Sequence, residues 1–339
     1  MCAYHQSSHG THSMAAILWR SCYGDQPKKE PRSTTMHLFK FLIIASIFVS
    51  LNSNAQETPD KEVEVIKLAE GIHMLMGVGG NIAVSNGADG VFIVDDDMPP
   101  IAAKIEAAVR SIQDEPVRMV FNTHWHFDHA GGNKHFGEQG ALIVAHDNVR
   151  ERMSTKQFSA LFNNETKPSP NVALPVVTFD HSISFHLNDS TIRALHIPMG
   201  HTDGDAVLFF EEANIVHMGD LFFNRMYPVI DISAGGSARG MIAAIDTVLP
   251  MLNADTVIIP GHGPVGNVKG LKEFQEMLSI VTNRIQLLVD EGKSLEEVNA
   301  LSPTINYDGV WAWNFMPPER FTQLIYDSVV ANSEPAPEL

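Results

Sequence analysis

Four potential metal ligands fall within six residues of the stretch Thr123-His124-Trp125-His126-Phe127-Asp128-His129-Ala130-Gly131-Gly132. Such a density of imidazole and carboxylate suits coordination chemistry and is hard to explain as core. In extended backbone alternate side chains point the same way, so His124 and His126 can grip one ion while Asp128 and His129 turn toward another. Trp125 and Phe127 would anchor the loop. Three more ligands stand beside glycines: His201 in Met199-Gly200-His201-Thr202, Asp220 in His217-Met218-Gly219-Asp220, and His262 in Pro260-Gly261-His262-Gly263. Glycine lets backbone pass close to a site. His124, His126 and His201 make a three-histidine site whose fourth tetrahedral position stays open for water, a catalytic rather than a structural arrangement. Asp128, His129 and His262 make a second site, and Asp220 is the carboxylate placed to bridge the two.

The chemistry expected of such a site is hydrolysis. Water bridging two dications, here two Zn2+, loses a proton near pH 7, against roughly 15.7 in bulk, and the resulting hydroxide attacks a carbonyl while Asp128 orients it. The first metal polarises the carbonyl and the second takes charge from the leaving atom. No serine or cysteine nucleophile is needed. Donors that are all His or Asp leave iron or manganese open.

The elements that must position these residues read as two similar halves. Short β-rich stretches at 63–68, 73–76, 81–85 and 91–94 alternate with glycine-containing turns, followed by a helix at 100–112 and strands at 117–121 and 141–145. A second set of strands, at 182–187, 191–197, 206–210 and 214–218, precedes a helix at 237–252, a strand at 256–259 and a long helix at 268–290. Every candidate ligand follows a strand. Two packed sheets with helices outside, an α/β four-layer arrangement, is the architecture implied.

Residues 1–35 are polar and aperiodic and read as an extension preceding the true start at Met36. Met36-His-Leu-Phe-Lys40, the apolar run Phe41 to Leu51 and Ser53-Asn54-Ala55 then have the form of a cleaved signal peptide at 36–55, too short to span a bilayer. A single hydrolase domain at 56–331 is expected, with a helical extension from about 300 and a flexible tail at 332–339. Export places the protein in the periplasm or outside the cell. Both cysteines, Cys2 and Cys22, fall before Gln56, so the body has no disulfide. Five of the 23 basic and two of the 40 acidic residues also fall there, which takes the net charge from −17 to −20. That field repels nucleic acid and anionic membranes, leaving a small molecule with a hydrolysable carbonyl as the partner.

His-x-His-x-Asp-His at 124–129, followed in order by His201, Asp220 and His262, resembles the signature of the metallo-β-lactamase superfamily. The resemblance covers roughly residues 62–290 and implies an αββα sandwich with the metals at one edge of the sheets. A glutamate at 126 would imply di-iron oxygen chemistry, and a cysteine at 220 the commonest β-lactamase subclass; His126 and Asp220 match neither. An aspartate at 220 looks like glyoxalase II and related thioesterases and lactonases, whereas export favours a β-lactam. The expectation is therefore hydrolysis of a cyclic amide, with a thioesterase or lactonase as the alternative and an iron-dependent oxidoreductase on the same fold behind them.

Other residues carry weaker expectations. Asp95, in Ile93-Val94-Asp95-Asp96-Asp97, is a candidate to orient a ligand imidazole, or else a turn or cap carboxylate. Arg225 is a candidate for a substrate carboxylate, or else a surface ion-pair partner. Gly77-Val78-Gly79-Gly80-Asn81 is a flap over the site or a plain hairpin turn. Met153 to Pro175, with Phe158, Leu161 and Phe162, is a hydrophobic wall or ordinary packing. The aromatics at 310–315 are read as core. His73, His181, His186, His196 and His217 are read as structural, and His135 and His146 are left out of the site.

Overall fold

In a computed structural model of the chain, the described residues are 62–159 and 164–333. The leader-like segment at 36–55, the extension before it, Leu161, Phe162 and the chain from 334 onward lie outside them.

The first half contains β1 (Glu64–Ala69), β2 (Ile72–Met76), β3 (Ile82–Gly87), β4 (Gly90–Val94), α1 (Ala102–Ile112), β5 (Val117–Phe121), the short α2 (Phe127–Ala130) and α3 (Asn133–Glu138), β6 (Leu142–His146), α4 (Asp147–Ser154), the hairpin β7 (Gln157–Ser159) with β8 (Asn164–Thr166), and β9 (Val177–Phe179). The second half contains β10 (Ser182–Leu187), β11 (Ser190–His196), β12 (Ala206–Phe210), β13 (Ile215–His217), α5 (Ala238–Val248), β14 (Val257–Ile259), β15 (Gly266–Asn267), α6 (Val268–Asp290), α7 (Leu295–Ala300), α8 (Asp308–Trp311) and α9 (Pro318–Ser333). One sheet runs β1-β2-β3-β4-β5-β6-β9, antiparallel to β4 and parallel beyond it. The other runs β10-β11-β12-β13-β14-β15, with β13 and β14 parallel.

Period-two alternation sorts the strand residues into layers. Met74, Phe92, Val94, Met119 and Phe121 face inward and meet Ile192, Ala194, Leu208 and Phe210 of the second sheet. Their neighbours Leu75, Ile82, Ile93 and Val120 face outward and are covered by Ile105 and Val109 of α1 and Phe136 of α3. Behind the second sheet, Val207, Phe209, Val216 and Ile258 pack under Met241 and Ile245 of α5, Phe274 and Leu278 of α6 and Ile325 of α9. The result is the four-layer αββα sandwich. Trp311 joins this last core, Trp313 donates to the Tyr227 carbonyl, and the aromatic stretch serves packing. Helix α9 runs to Ser333, two residues into the stretch read as tail. Among the described residues no helix is long and apolar enough to cross a membrane.

Parallel alignment of β4 with β5, and of β13 with β14, sends the carboxyl ends of these strands to one edge, together with the end of β11. In sheets of this kind ligands bind beyond the carboxyl ends of the strands.

Candidate metal centre

Each ligand-bearing loop departs from one of these strand ends. His124 and His126 follow β5 in extended backbone, with ψ 150° at His126; the chain then winds into α2, with the amides of His129 and Ala130 bonded to the His126 carbonyl. The loop is therefore not the fully extended stretch that the alternation of its ligands predicts. It is this helical turn that swings Asp128 and His129 away from the first two histidines. Residues with left-handed backbone gather at the same edge: Asp95 (φ 65°), Asp97 (φ 60°), Met199 (φ 58°) and Gly219 (φ 49°). For the non-glycine residues this conformation carries a strain that the surrounding fold must hold.

Two groups of donors form. His124, His126, His201 and Asp220 converge, as do Asp128, His129 and His262, the donor atoms of each group lying within 4.8 Å of one another. In the first, His126 Nδ1 is 2.8 Å from His201 Nε2, and Asp220 Oδ2 is 3.3 Å from His201 Nε2 and 3.8 Å from His124 Nε2. In the second, His262 Nε2 stands 3.4 Å from Asp128 Oδ2 and 3.3 Å from His129 Nε2. Asp220 Oδ1 lies 3.0 Å from His129 Nε2 and 3.4 Å from His262 Nε2. Asp220 thus turns one oxygen to each group.

The outer atoms of the imidazoles are engaged from behind. The Thr123 hydroxyl faces His124 Nδ1 (3.1 Å), Asp231 Oδ2 faces His126 Nε2 (2.9 Å), the Val229 carbonyl faces His201 Nδ1 (2.8 Å), and Asp95 Oδ2 faces His129 Nδ1 (2.7 Å). Acceptors at the outer nitrogens of His126 and His201 fix the tautomer, so the inward nitrogens of these two present lone pairs. Lone pairs 2.8 Å apart repel unless a proton or cation lies between them. His124 Nε2 is buried with no hydrogen-bond partner among the described residues, an arrangement that buried polar atoms seldom show. Donors about 2.0–2.1 Å from a tetrahedral ion stand roughly 3.3–3.4 Å apart, in the middle of the separations seen here. The cluster is capable of binding metal ions.

Charge follows the same division. Burial, reinforced by the neighbouring imidazoles, holds His124 well below the usual histidine range, and burial takes His201 down to about 4. At His262 burial is outweighed by Asp220 and Asp128, and the imidazolium is raised to about 9. Burial raises the Asp220 carboxyl, but His129, His262, His201 and His124 outweigh it and hold it well below the usual range.

Several supports come from residues that the motifs do not include. Asp231 is 105 residues from the histidine it holds, and no local pattern announces it. Asp205 is buried, accepts the His201 and Thr202 amides and the Thr202 hydroxyl, and is raised by burial to about 7. Its place four residues after His201 was the available signal. The Thr123 hydroxyl bonds Asp95 as well as His124, joining the backs of both groups. Asp95 itself accepts the Thr123 amide and hydroxyl and His129 Nδ1.

The turn at 77–81 closes the β2–β3 hairpin and is hydrogen-bonded to the loops around it. Asp97 accepts the Val78 and Gly79 amides, Gly80 donates to Asp128, and Asn81 bonds the carbonyls of Pro260, Gly261 and Gly263. A Cβ at Gly80 would come within 2.2 Å of the His129 ring. Arg225 corrects an expectation: it is exposed, has left-handed backbone (φ 62°), and lines a groove with Pro264, Lys269 and Glu273 that none of the seven ligand residues borders. His135 pairs with Glu106, His146 stacks on His196, and His217 bonds the Asn81 carbonyl, so the structure keeps them apart from the cluster. The segment 153–175 does border the cluster: Met153, Asn164, Thr166 and Pro170 line a cavity of about 680 Å³ together with Trp125 and His126. Phe158, expected in that wall, is 54% exposed.

A two-sheet sandwich carrying a bridged His/Asp cluster at its carboxyl edge defines a class of metallo-hydrolases. Residues 76–262 match the family model of the metallo-beta-lactamase superfamily, and the chain belongs to that superfamily. It is 25% identical over 151 residues to hydroxyacylglutathione hydrolase GloC of Haemophilus influenzae, covering 44% of this chain and 70% of that one. It is 22% identical over 240 residues to a linear primary-alkylsulfatase of Pseudomonas sp., covering 60% of this chain and 44% of the alkylsulfatase. A solved metallo-beta-lactamase from Pontibacter korlensis superposes with a TM-score of 0.54 at 19% identity over 64% of this chain and 99% of that one, a likeness of fold. The chain thus spans less than half the length of the alkylsulfatase it matches.

Proposed function

We propose that this protein is an exported hydrolase with two zinc ions that cleaves an activated acyl bond at its carbonyl, a thioester before a cyclic amide. The observation that carries the reading is Asp220, buried with one oxygen toward each donor group and four imidazoles around it. His124, His126 and His201 would hold one ion, Asp128, His129 and His262 the other, and Asp220 both. Bound there, two dications would acidify water and polarise a carbonyl. The chain's own part is positional. The Thr123, Asp231, Val229 and Asp95 contacts aim the imidazoles. Asp128, whose side chain is 22% exposed against 4% for Asp220, is the ligand carboxylate open to a water and accepts its hydrogen bond.

Preference for a thioester rests on the bridging aspartate and on the similarity to a hydroxyacylglutathione hydrolase. The leader-like segment at 36–55 favours the β-lactam instead, because an exported enzyme meets such compounds. Metal content and turnover of acyl thioesters, lactones and a chromogenic cephalosporin, measured on protein beginning at Gln56 with a chelated control, test both. Two zincs with chelator-sensitive thioester cleavage support the first reading, cephalosporin cleavage transfers support to the second, and protein that binds no metal or cleaves neither class overturns both. Redox-active iron in place of zinc moves the assignment to an oxidoreductase.

A further inference from the structure

The cavity of about 680 Å³ opens between the metal-bearing loop and the hairpin β7–β8, and His126 belongs to its wall. Trp125, Phe127, Met153 and Pro170 make much of its lining, and Phe127 is 55% exposed. Its charged residues are all basic: Lys134, Arg152 and Lys167, with no acidic residue among the described lining. The chain as a whole carries 40 acidic against 23 basic residues, so the lining is opposite in sign to the net charge of the chain. Lys134 is paired with Glu138 and Arg152 with Asp203, whereas Lys167 has no ion pair among the described residues.

We infer that this cavity is the subsite for the acyl portion of the substrate, taking an extended apolar chain whose far end is a carboxylate answered by Lys167. The inference rests on the hydrolase reading of the neighbouring cluster and names its substrate class. An apolar wall next to His126, which would hold an ion beside the reacting carbonyl, selects chain length, since each buried methylene is worth roughly a fourfold gain. Lys167, a cation without an ion pair among the described residues, selects a negatively charged end over a neutral one.

The test uses the zinc-loaded chain with p-nitrophenyl acetate, octanoate and the corresponding ester of an eight-carbon ω-carboxylic acid. Expected is a rise in kcat/KM of at least tenfold from acetate to octanoate, carried by KM, and a further rise for the ω-carboxylate. Lys167→Glu removes the second gain and keeps the first; Ser159→Trp, which fills the cavity from the hairpin, shrinks the octanoate-to-acetate ratio. A flat series in the unaltered protein, or ratios that neither variant moves, overturns the subsite while leaving the hydrolase reading intact. If no ester is turned over, calorimetric titration with octanoate and acetate decides: octanoate binding weakened by Ser159→Trp upholds the subsite without the reaction, and equal or absent binding of the two anions overturns it.

Discussion

The two donor groups are built from the same residue types and held by different physics. The three-histidine group is set by hydrogen bonds to a hydroxyl, a carbonyl and the Asp231 carboxylate, and burial keeps His124 and His201 neutral. The Asp128 group is set by opposite charge: His262 and His129 are raised, and Asp128 and Asp220 lowered, each by the others and against burial. His124 and His201 therefore present lone pairs at neutral pH, while His129 and His262 hold protons until a cation replaces them. Geometry alone would make the groups look equivalent; the protonation states separate them.

The largest expected effect removes what the groups share. Asp220→Ala leaves both with one oxygen fewer and should abolish loading of two ions and lower kcat/KM by well over the 10–100-fold typical of an outer partner. Metal content beside turnover checks it, and a variant that still binds two ions would show that the groups are independent. Next come the carboxylates behind each group. Asp231→Asn should weaken the His126 ion, and Asp95→Asn the His129 ion, each by roughly 10–100-fold in affinity. Asp95→Asn should also cost stability, because the buried Asp95 accepts the Thr123 amide and hydroxyl as well. Loss of the same ion from both variants would break the comparison.

Acidity sharpens it further. In the metal-free protein His262 is raised to about 9 from an unfolded value near 6.5, so its contribution to stability is complete below about 6.5 and is lost as pH climbs through about 9. A cation entering that group must expel the proton, so its affinity should rise about tenfold per pH unit for each proton released between pH 7 and 9. His201, lowered to about 4, has no proton to lose in that window, and the first group should bind with little pH dependence. Competition against a chromophoric chelator at pH 7, 8 and 9 separates the two ions; parallel slopes would remove the distinction.

Legibility in the sequence followed locality. The seven ligands could be read because each sits a few residues beyond a strand and beside glycine or another ligand, and strands carry that spacing on their surface. The layers could be read because strands and helices follow one another in two similar halves, and stretches such as Gly90–Val94 and Val117–Phe121 are apolar nearly throughout, as strands buried on both faces are. Asp231 could not, since what makes it matter is a fold that returns it to His126 across 105 residues. Arg225 was misjudged for the converse reason: it follows Asp220 closely along the chain, yet left-handed backbone at 225 carries it to another groove. The hairpin β7–β8, two strands of three residues with mostly polar side chains, has too little pattern to announce itself.

The smallest effect probes how far behind the first group its support extends. Ser233 donates its hydroxyl to Asp231 Oδ1, which also accepts the Ala234 amide, while Oδ2 faces His126. Burial raises the Asp231 carboxyl, but the His126 and Ser233 hydrogen bonds outweigh it and hold the group at about 2. Ser233 is exposed, so water can take the place of its hydroxyl in Ser233→Ala and the loss should stay within about 0.5 kcal/mol, near twofold in affinity for the first ion. The second ion, whose rear support runs through Asp95, should not respond. A tenfold loss in chelator competition would mean that Asp231 is aimed by its hydroxyl partner and not by the Ala234 amide, which would move the limit of the site outward by one residue.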